Sequence, residues 1–198
     1  MQEEIRKKIV VWFIIIIMVS SVLGFVLSFN LDNQSDLPKR YNGFKLNQLA
    51  DQTWTLNYNE AKINFFLHPK QLESTSLEKE LFASIESANE IVLLFDANDT
   101  SEYLQAVDTM RFLITQRAQY FDKSVSAGVI NQSDKYNLPI YSCSDKIEKT
   151  KAVLKLESNS TGQISKNGSC IIIPGSSFEM VSKLDYISYL LLGVIKIE

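Results

Sequence analysis

The segment Asp96-Ala97-Asn98-Asp99-Thr100 puts four oxygen-bearing side chains into five residues, directly after the apolar run Ile91-Val92-Leu93-Leu94-Phe95. Oxygen ligands at that density can hold Mg²⁺ or Ca²⁺, and α/β proteins tend to gather ligands at the carboxyl ends of buried strands. Asp96, Asn98 and Thr100 are therefore the candidate ligand or metal residues. Their spacing departs from the Asp-x-Ser-x-Ser of an adhesion-type metal site, and from the Asp-x-Asp-x-Thr of phosphate-transferring aspartates the second acid is one place late. The competing reading is local: Asp, Asn and Thr are also the residues that make turns and cap helices.

Other chemistry-bearing side chains are sparse. His68 is the one imidazole in the chain, lying between Phe65-Phe66-Leu67 and Pro69. Metal sites and nucleophilic triads need partners that no neighbouring motif supplies, so a structural histidine at the end of a strand is expected. Glu78 with Glu80, and Asp99 with Glu102, read as solvated or capping carboxylates. Tyr186 and Tyr189 flank Asp185 in a way that could bind a sugar or peptide, although tyrosines at helical spacing usually belong to the core with the hydroxyl at its rim. No catalytic residue and no cofactor is assigned.

The elements that must position these groups follow from period and punctuation. Thr53–Asn57 and Lys62–Leu67, parted by Tyr58-Asn59-Glu60-Ala61, form a predicted hairpin closed by Pro69. Leu77, Leu81, Ile85 and Ala88 recur at helical spacing, with Thr75 and Glu78 placed for a capping box. Ile91–Phe95 is a buried strand, followed by a helix capped at Asp99 or Thr100 that carries Leu104, Val107, Met110, Ile114, Ala118 and Phe121 on one face. Ser124–Ile130 then completes a β-α-β unit, which favours a parallel pair. Ala152–Leu156 and Cys170–Ile173 are further strands. Ser176 and Glu179 are spaced for a second capping box on a last helix bearing Phe178, Val181, Leu184, Ile187, Leu191 and Val194, and its apolar end YLLLGVI predicts deep packing.

Residues 9–29, IVVWFIIIIMVSSVLGFVLSF, carry no charge over 21 positions. As a helix they would extend about 31 Å, the thickness of a bilayer's hydrocarbon core. Arg6, Lys7 and Lys8 precede the run, which by the positive-inside bias leaves residues 1–8 in the cytoplasm and exports the rest. A cleaved signal peptide ending near Val22-Leu23-Gly24 competes with an anchor, and a pilin-like filament subunit is a minor alternative. Residues 30–40, polar and containing Pro38, read as a linker, leaving 41–198 for one extracytoplasmic domain. The expected fold is α/β: an N-terminal transmembrane helix, then one small domain with a mixed sheet and at least one β-α-β unit.

Export makes the two cysteines, Cys143 and Cys170, an expected disulfide rather than a redox pair, since their spacing is far from C-x-x-C. Asn33, Asn98, Asn131, Asn159 and Asn167 each open an Asn-x-Ser/Thr glycosylation sequon beyond the apolar run. Apolar residues at 45% and charged residues at 22% exclude a disordered or low-complexity chain. With 20 Lys and Arg against 23 Asp and Glu, the net charge of −3 argues against nucleic acid as a partner.

The basic start and single span, then YNGFKL, WTLNYNEAKINFFLHP, LPIYSCSD, GSCIIIPG and YISYLLLGV, together give a layout that resembles a loose class of archaeal single-pass membrane-anchored proteins. The resemblance implies an extracytoplasmic domain with a paired cysteine near each of two late strands, and brings no activity, cofactor or catalytic residue with it. The expected function is a binding, scaffold or envelope-assembly module. Its partners would be the lipid bilayer through residues 9–29 and envelope proteins. The alternative is an envelope hydrolase or phosphate-transfer enzyme using Asp96.

Overall fold

Two tight turns of the same kind build the first sheet. In the computed structural model, which describes residues 37–158 and 160–197, the chain takes positive φ at Asn42 and Gly43 (46° and 87°) and again at Asn59 and Glu60 (45° and 68°). Two consecutive positive φ values match the right-handed twist of a hairpin. The first turn joins β1 (Arg40–Tyr41) to β2 (Phe44–Gln48), and the second joins β3 (Trp54–Tyr58) to β4 (Ala61–Phe65). The four strands are antiparallel in the order β1-β2-β3-β4. Their register lines up Leu46, Leu56 and Ile63 as one buried row and sets Trp54 opposite Phe65.

The second sheet is mixed, in the order β6-β5-β7-β9-β8. It comprises β5 (Glu90–Phe95), β6 (Ser124–Val129), β7 (Lys151–Glu157), β8 (Ser165–Asn167) and β9 (Cys170–Pro174), with only β8 antiparallel to its neighbour. Every residue of β5 from Ile91 to Phe95 is fully buried, because both faces of the sheet are covered. On one face Val92, Leu94, Val153, Cys170 and Ile172 pack under a strap that supplies Ile130, Tyr141, Cys143 and Ile147. The Cys143–Cys170 disulfide (S–S 2.11 Å) fastens that strap to the first residue of β9. Closing a loop of 27 positions is worth about 3.5 kcal/mol in the chain-entropy account.

Three helices complete the domain: α1 (Lys79–Ser87), α2 (Ser101–Ala118) and α3 (Ser177–Leu191). The β5-α2-β6 unit forms with its parallel register, Phe95 opposite Val129. Ser176 and Glu179 make the predicted capping box, and Gly175 at φ 139° is needed there because a Cβ would lie 2.7 Å from the Glu179 Cβ. The box predicted from Thr75 and Glu78 does not form. The residue capping α1 is Glu78 itself, with no side-chain bond, since helical geometry begins one turn later than that pattern requires. α2 stops at Ala118, so Phe121 lies in the following turn and not on the helix face. α3 stops at Leu191, where Gly193 takes φ 70° and Val194 leaves the helix to bury itself separately.

Pro38, Lys39 and Arg40, read as linker from the sequence, belong to the folded unit that spans Pro38–Glu198. The Pro38 carbonyl meets His68 Nε2 at 2.9 Å, and the Lys39 carbonyl accepts from Leu46 N–H at 3.0 Å. Among the described residues no helix is long and apolar enough to cross a membrane. The segment 9–29, its flank 1–8, Asn33 and Asn159 lie outside them.

Candidate functional site

Asp96, Asn98, Asp99 and Thr100 sit at the carboxyl end of β5. Here the connection from β5 runs to β6 on one side while that from β7 runs through β8 to β9 on the other, the kind of switch point where open α/β sheets leave a crevice. The side chains of Asp96, Asp99 and Thr100 hold the chain's own backbone. Asp96 Oδ1 accepts from Asn98 N–H at 2.9 Å and from Asn131 Nδ2 at 3.4 Å. Asp99 Oδ1 accepts from Thr100 N–H at 2.7 Å, its Oδ2 accepts from the Ser158 hydroxyl, and Thr100 Oγ1 caps α2 by accepting from Tyr103 N–H at 3.3 Å. The carboxylates do impose a field: burial, with Asp99, Asp96 and Glu157 nearby, pushes the Tyr103 phenol far above its usual range. Its hydroxyl donates to the Leu156 carbonyl at 2.9 Å. Among the described residues no group of three His, Cys, Asp or Glu is arranged to hold a metal ion. The sequon asparagines Asn98, Asn131 and Asn167 are all exposed.

His68 is fully buried. Its Nδ1 accepts from Lys70 N–H at 3.1 Å to cap the 3-10 turn Pro69–Leu72, which leaves the proton on Nε2 to donate to Pro38. Trp54 meets its ring edge-on with centroids 4.6 Å apart. Burial holds this imidazole below its usual pKa.

A buried ion pair that no motif in the chain announces joins α2 to α3. Arg117 NH1 lies 2.8 Å from Asp185 Oδ1, with both side chains at most 3% exposed. Arg117 also donates to the Asn64 carbonyl from Nε (3.1 Å) and NH2 (2.8 Å), and its guanidinium stacks 4.2 Å above the Phe65 ring. Asp185 Oδ2 takes the Phe66 and Leu67 N–H groups at 2.8 and 3.0 Å. Burial pushes the Asp185 carboxyl up, and Arg117 and those amides pull it back. Tyr189, fully buried, stacks on Phe65 (3.9 Å, 14°) and donates to the Leu67 carbonyl at 3.0 Å, so it is core and not a binding residue. All these contacts converge on β4 and the chain just after it.

That convergence turns Phe66 outward. Strand alternation puts Phe65 inside, and Asp185 fixes the Phe66 backbone, so its ring stands at the surface, 37% exposed. Phe178, expected on the packed face of α3, is 62% exposed because the first turn of that helix projects beyond the core. The two rings, with Val181, Ser177 and the α2 face Glu102, Gln105, Ala106 and Thr109, line a groove of about 330 Å³. The α2 positions follow the 3.6-residue period, so one helix face forms a wall. Phe66, Phe178, Ala106 and Val181 make an apolar floor, while Glu102, Gln105, Thr109 and Ser177 are polar. An apolar floor with a few polar groups suits an apolar side chain of a partner. No sequence period marks this site, because Phe66 and Phe178 meet only through the fold. Compared with known protein families, curated proteins and solved structures, the chain matches none of them.

Proposed function

We propose that the chain is a single-pass membrane protein whose exported mixed α/β domain is a binding or scaffold module for a partner in the cell envelope. The observation that carries this reading is the groove between Phe66 and Phe178, two exposed phenylalanines on one surface, one of them on the first turn of a helix whose later turns pack into the core. The uncharged run of residues 9–29 and its basic flank support the location. Two measurements test it together. Protease added to intact cells should digest the part after residue 40. A photo-crosslinking residue at Phe178, in the full chain in native membranes, should trap a defined partner that Ala106→Arg abolishes and that the same probe at exposed Lys149 does not trap. Equal trapping at both positions, or none at Phe178, rejects the module.

A second reading, an envelope hydrolase or phosphate-transfer enzyme, draws on the position of Asp96 at the carboxyl end of the central strand. It requires metal-dependent turnover that Asp96→Ala removes while the melting temperature stays put.

A further inference from the structure

The first sheet carries all of its charge on one side. Leu46, Leu56 and Ile63 form its buried row, so by the period of two Lys45, Asn57 and Lys62 face the other way. The register sets Arg40 opposite Lys45, Lys45 opposite Asn57 and Asn57 opposite Lys62, which makes one row across all four strands. Arg40, Lys45 and Lys62 are exposed. None of the four strands contains an Asp or Glu, and the ion pairs among the described residues belong to other cations. Asn47, Thr55 and Asn64 fill the next row, with the Thr55 hydroxyl donating to Asn64 Oδ1 at 3.0 Å. This face is polar and of one sign, on a chain whose net charge is −3.

Left bare, the row works against the sheet. The bond from Leu46 N–H to the Lys39 carbonyl (3.0 Å) puts Arg40 and Lys45 in the non-hydrogen-bonded kind of pair, whose Cα atoms stand about 4.5 Å apart and whose side chains lie closest. Like charges placed directly opposite are destabilising, and an anionic surface over the row removes that repulsion. The place of the row in the chain says which surface. Arg40 follows Phe29, the end of the uncharged run, by 11 positions, at most about 40 Å of fully extended chain. With residues 9–29 in lipid, this strand is confined near the bilayer, whereas no soluble polyanion is held beside it.

We infer that the outer face of the first sheet docks on the bilayer, with Arg40, Lys45 and Lys62 set against the phosphates of anionic lipid headgroups. This rests on the single-pass reading above and adds to it the surface that meets the membrane. Each cation near an anionic bilayer shifts the balance between docked and free domain about fivefold, so the row shifts it roughly 100-fold. The same surface repels the acidic remainder of the domain, which fixes the face presented.

Contact quenching tests it. Cys143 and Cys170 are joined, so Asn57→Cys, in the middle of the row, adds the only free thiol of the chain. The full chain, carrying a fluorophore there, is reconstituted into phosphatidylcholine vesicles with or without phosphatidylglycerol, all containing a lipid with a nitroxide on its headgroup. Quenching should rise severalfold with phosphatidylglycerol and fall back in 1 M salt, where the Debye length is about 3 Å. Combining Arg40→Gln, Lys45→Gln and Lys62→Gln should abolish the rise, with a melting temperature in phosphatidylcholine no lower than that of the parent. Equal quenching in the two lipids, or a rise that survives the triple replacement, overturns the proposal. Alkaline extraction separates the two ways of failing: a chain washed out of the vesicles refutes the span and the docking together, and a chain that stays without being quenched refutes the docking alone. Heparin retention that the triple replacement removes, without any lipid-dependent quenching, gives the row to a soluble polyanion and overturns the lipid assignment.

Discussion

Replacing either member of the Arg117–Asp185 pair should produce deficits of similar size near neutral pH, of which only one shrinks in acid. Asp185→Leu strands a guanidinium that is almost wholly enclosed and orphans the Phe66 and Leu67 N–H groups. Breaking a buried pair in this way costs about 3–5 kcal/mol, a large share of the roughly 5–15 kcal/mol that stabilises a domain. Arg117→Met leaves a buried carboxylate and an unpaired Asn64 carbonyl, at a similar cost near neutral pH. The two then diverge. Asp185 can neutralise itself by taking a proton, and burial already raises its pKa. A carboxyl whose folded pKa lies above its unfolded value loses stability as pH rises through the folded value, so the Arg117→Met deficit should shrink on going from pH 8 to pH 5. Arginine cannot shed its proton, so the Asp185→Leu deficit should not shrink. The double replacement should cost about as much as one single change and not their sum, because the stranded charge is gone in both directions. Urea unfolding of the full chain, followed by circular dichroism at both pH values, reads all three. A single replacement costing less than about 1 kcal/mol, or strict additivity in the double variant, would refute the claim that this pair joins α2, α3 and β4.

Two further outcomes follow from individual contacts. His68 takes a proton in the unfolded chain near pH 6.5 but in the fold only at lower pH, because burial and the Lys70 N–H at Nδ1 oppose it. Stability should therefore fall as pH drops below about 6.5 and level off beneath the folded value; the difference between wild type and His68→Asn isolates this slope from that of Asp185, and no difference rejects it. At Gly168, φ 58°, a Cβ would sit 2.1 Å from the Cys143 carbonyl oxygen, which accepts both Ser169 N–H and the Ser169 hydroxyl. Gly168→Ala should cost about 1–3 kcal/mol more than Gly193→Ala, which shares a positive φ but meets open space, and equal melting temperatures for the two variants would contradict the contact.

Local signals in this chain reported on local structure. The run Ile91–Phe95 is short for a helix, lacks polar alternation and is bounded by turn residues, which reads as a strand buried on both faces, and Leu104, Val107, Met110, Ile114 and Ala118 announced the crossover helix beside it. The Cys143–Cys170 pairing could be read from an even cysteine count together with the expectation of export. What escaped were elements whose signal is shared with neighbours. Asn42-Gly43 is a strong hairpin turn, yet β1 offers only Arg40 and Tyr41 ahead of it, and a two-residue strand has no period to detect. The Thr75/Glu78 spacing fits a capping box as well as Ser176/Glu179 does. Only the second is preceded by a Pro-Gly turn that delivers the chain to the helix start, and only the second forms.

The candidate site was less legible than the fold for a physical reason. Arg117 at the end of a helix reads as a favourable charge against the dipole, and Asp185 reads as the polar face of an amphipathic segment. Either description predicts an exposed side chain, whereas both are buried. Their burial is a consequence of tertiary demand: the open edge of β4 and the two amides that follow it require an acceptor-and-donor set that the strand cannot supply itself. Once that demand is met from α2 and α3, Phe65 is fixed inward and Phe66 must face out, where it joins Phe178 in the apolar floor of the groove.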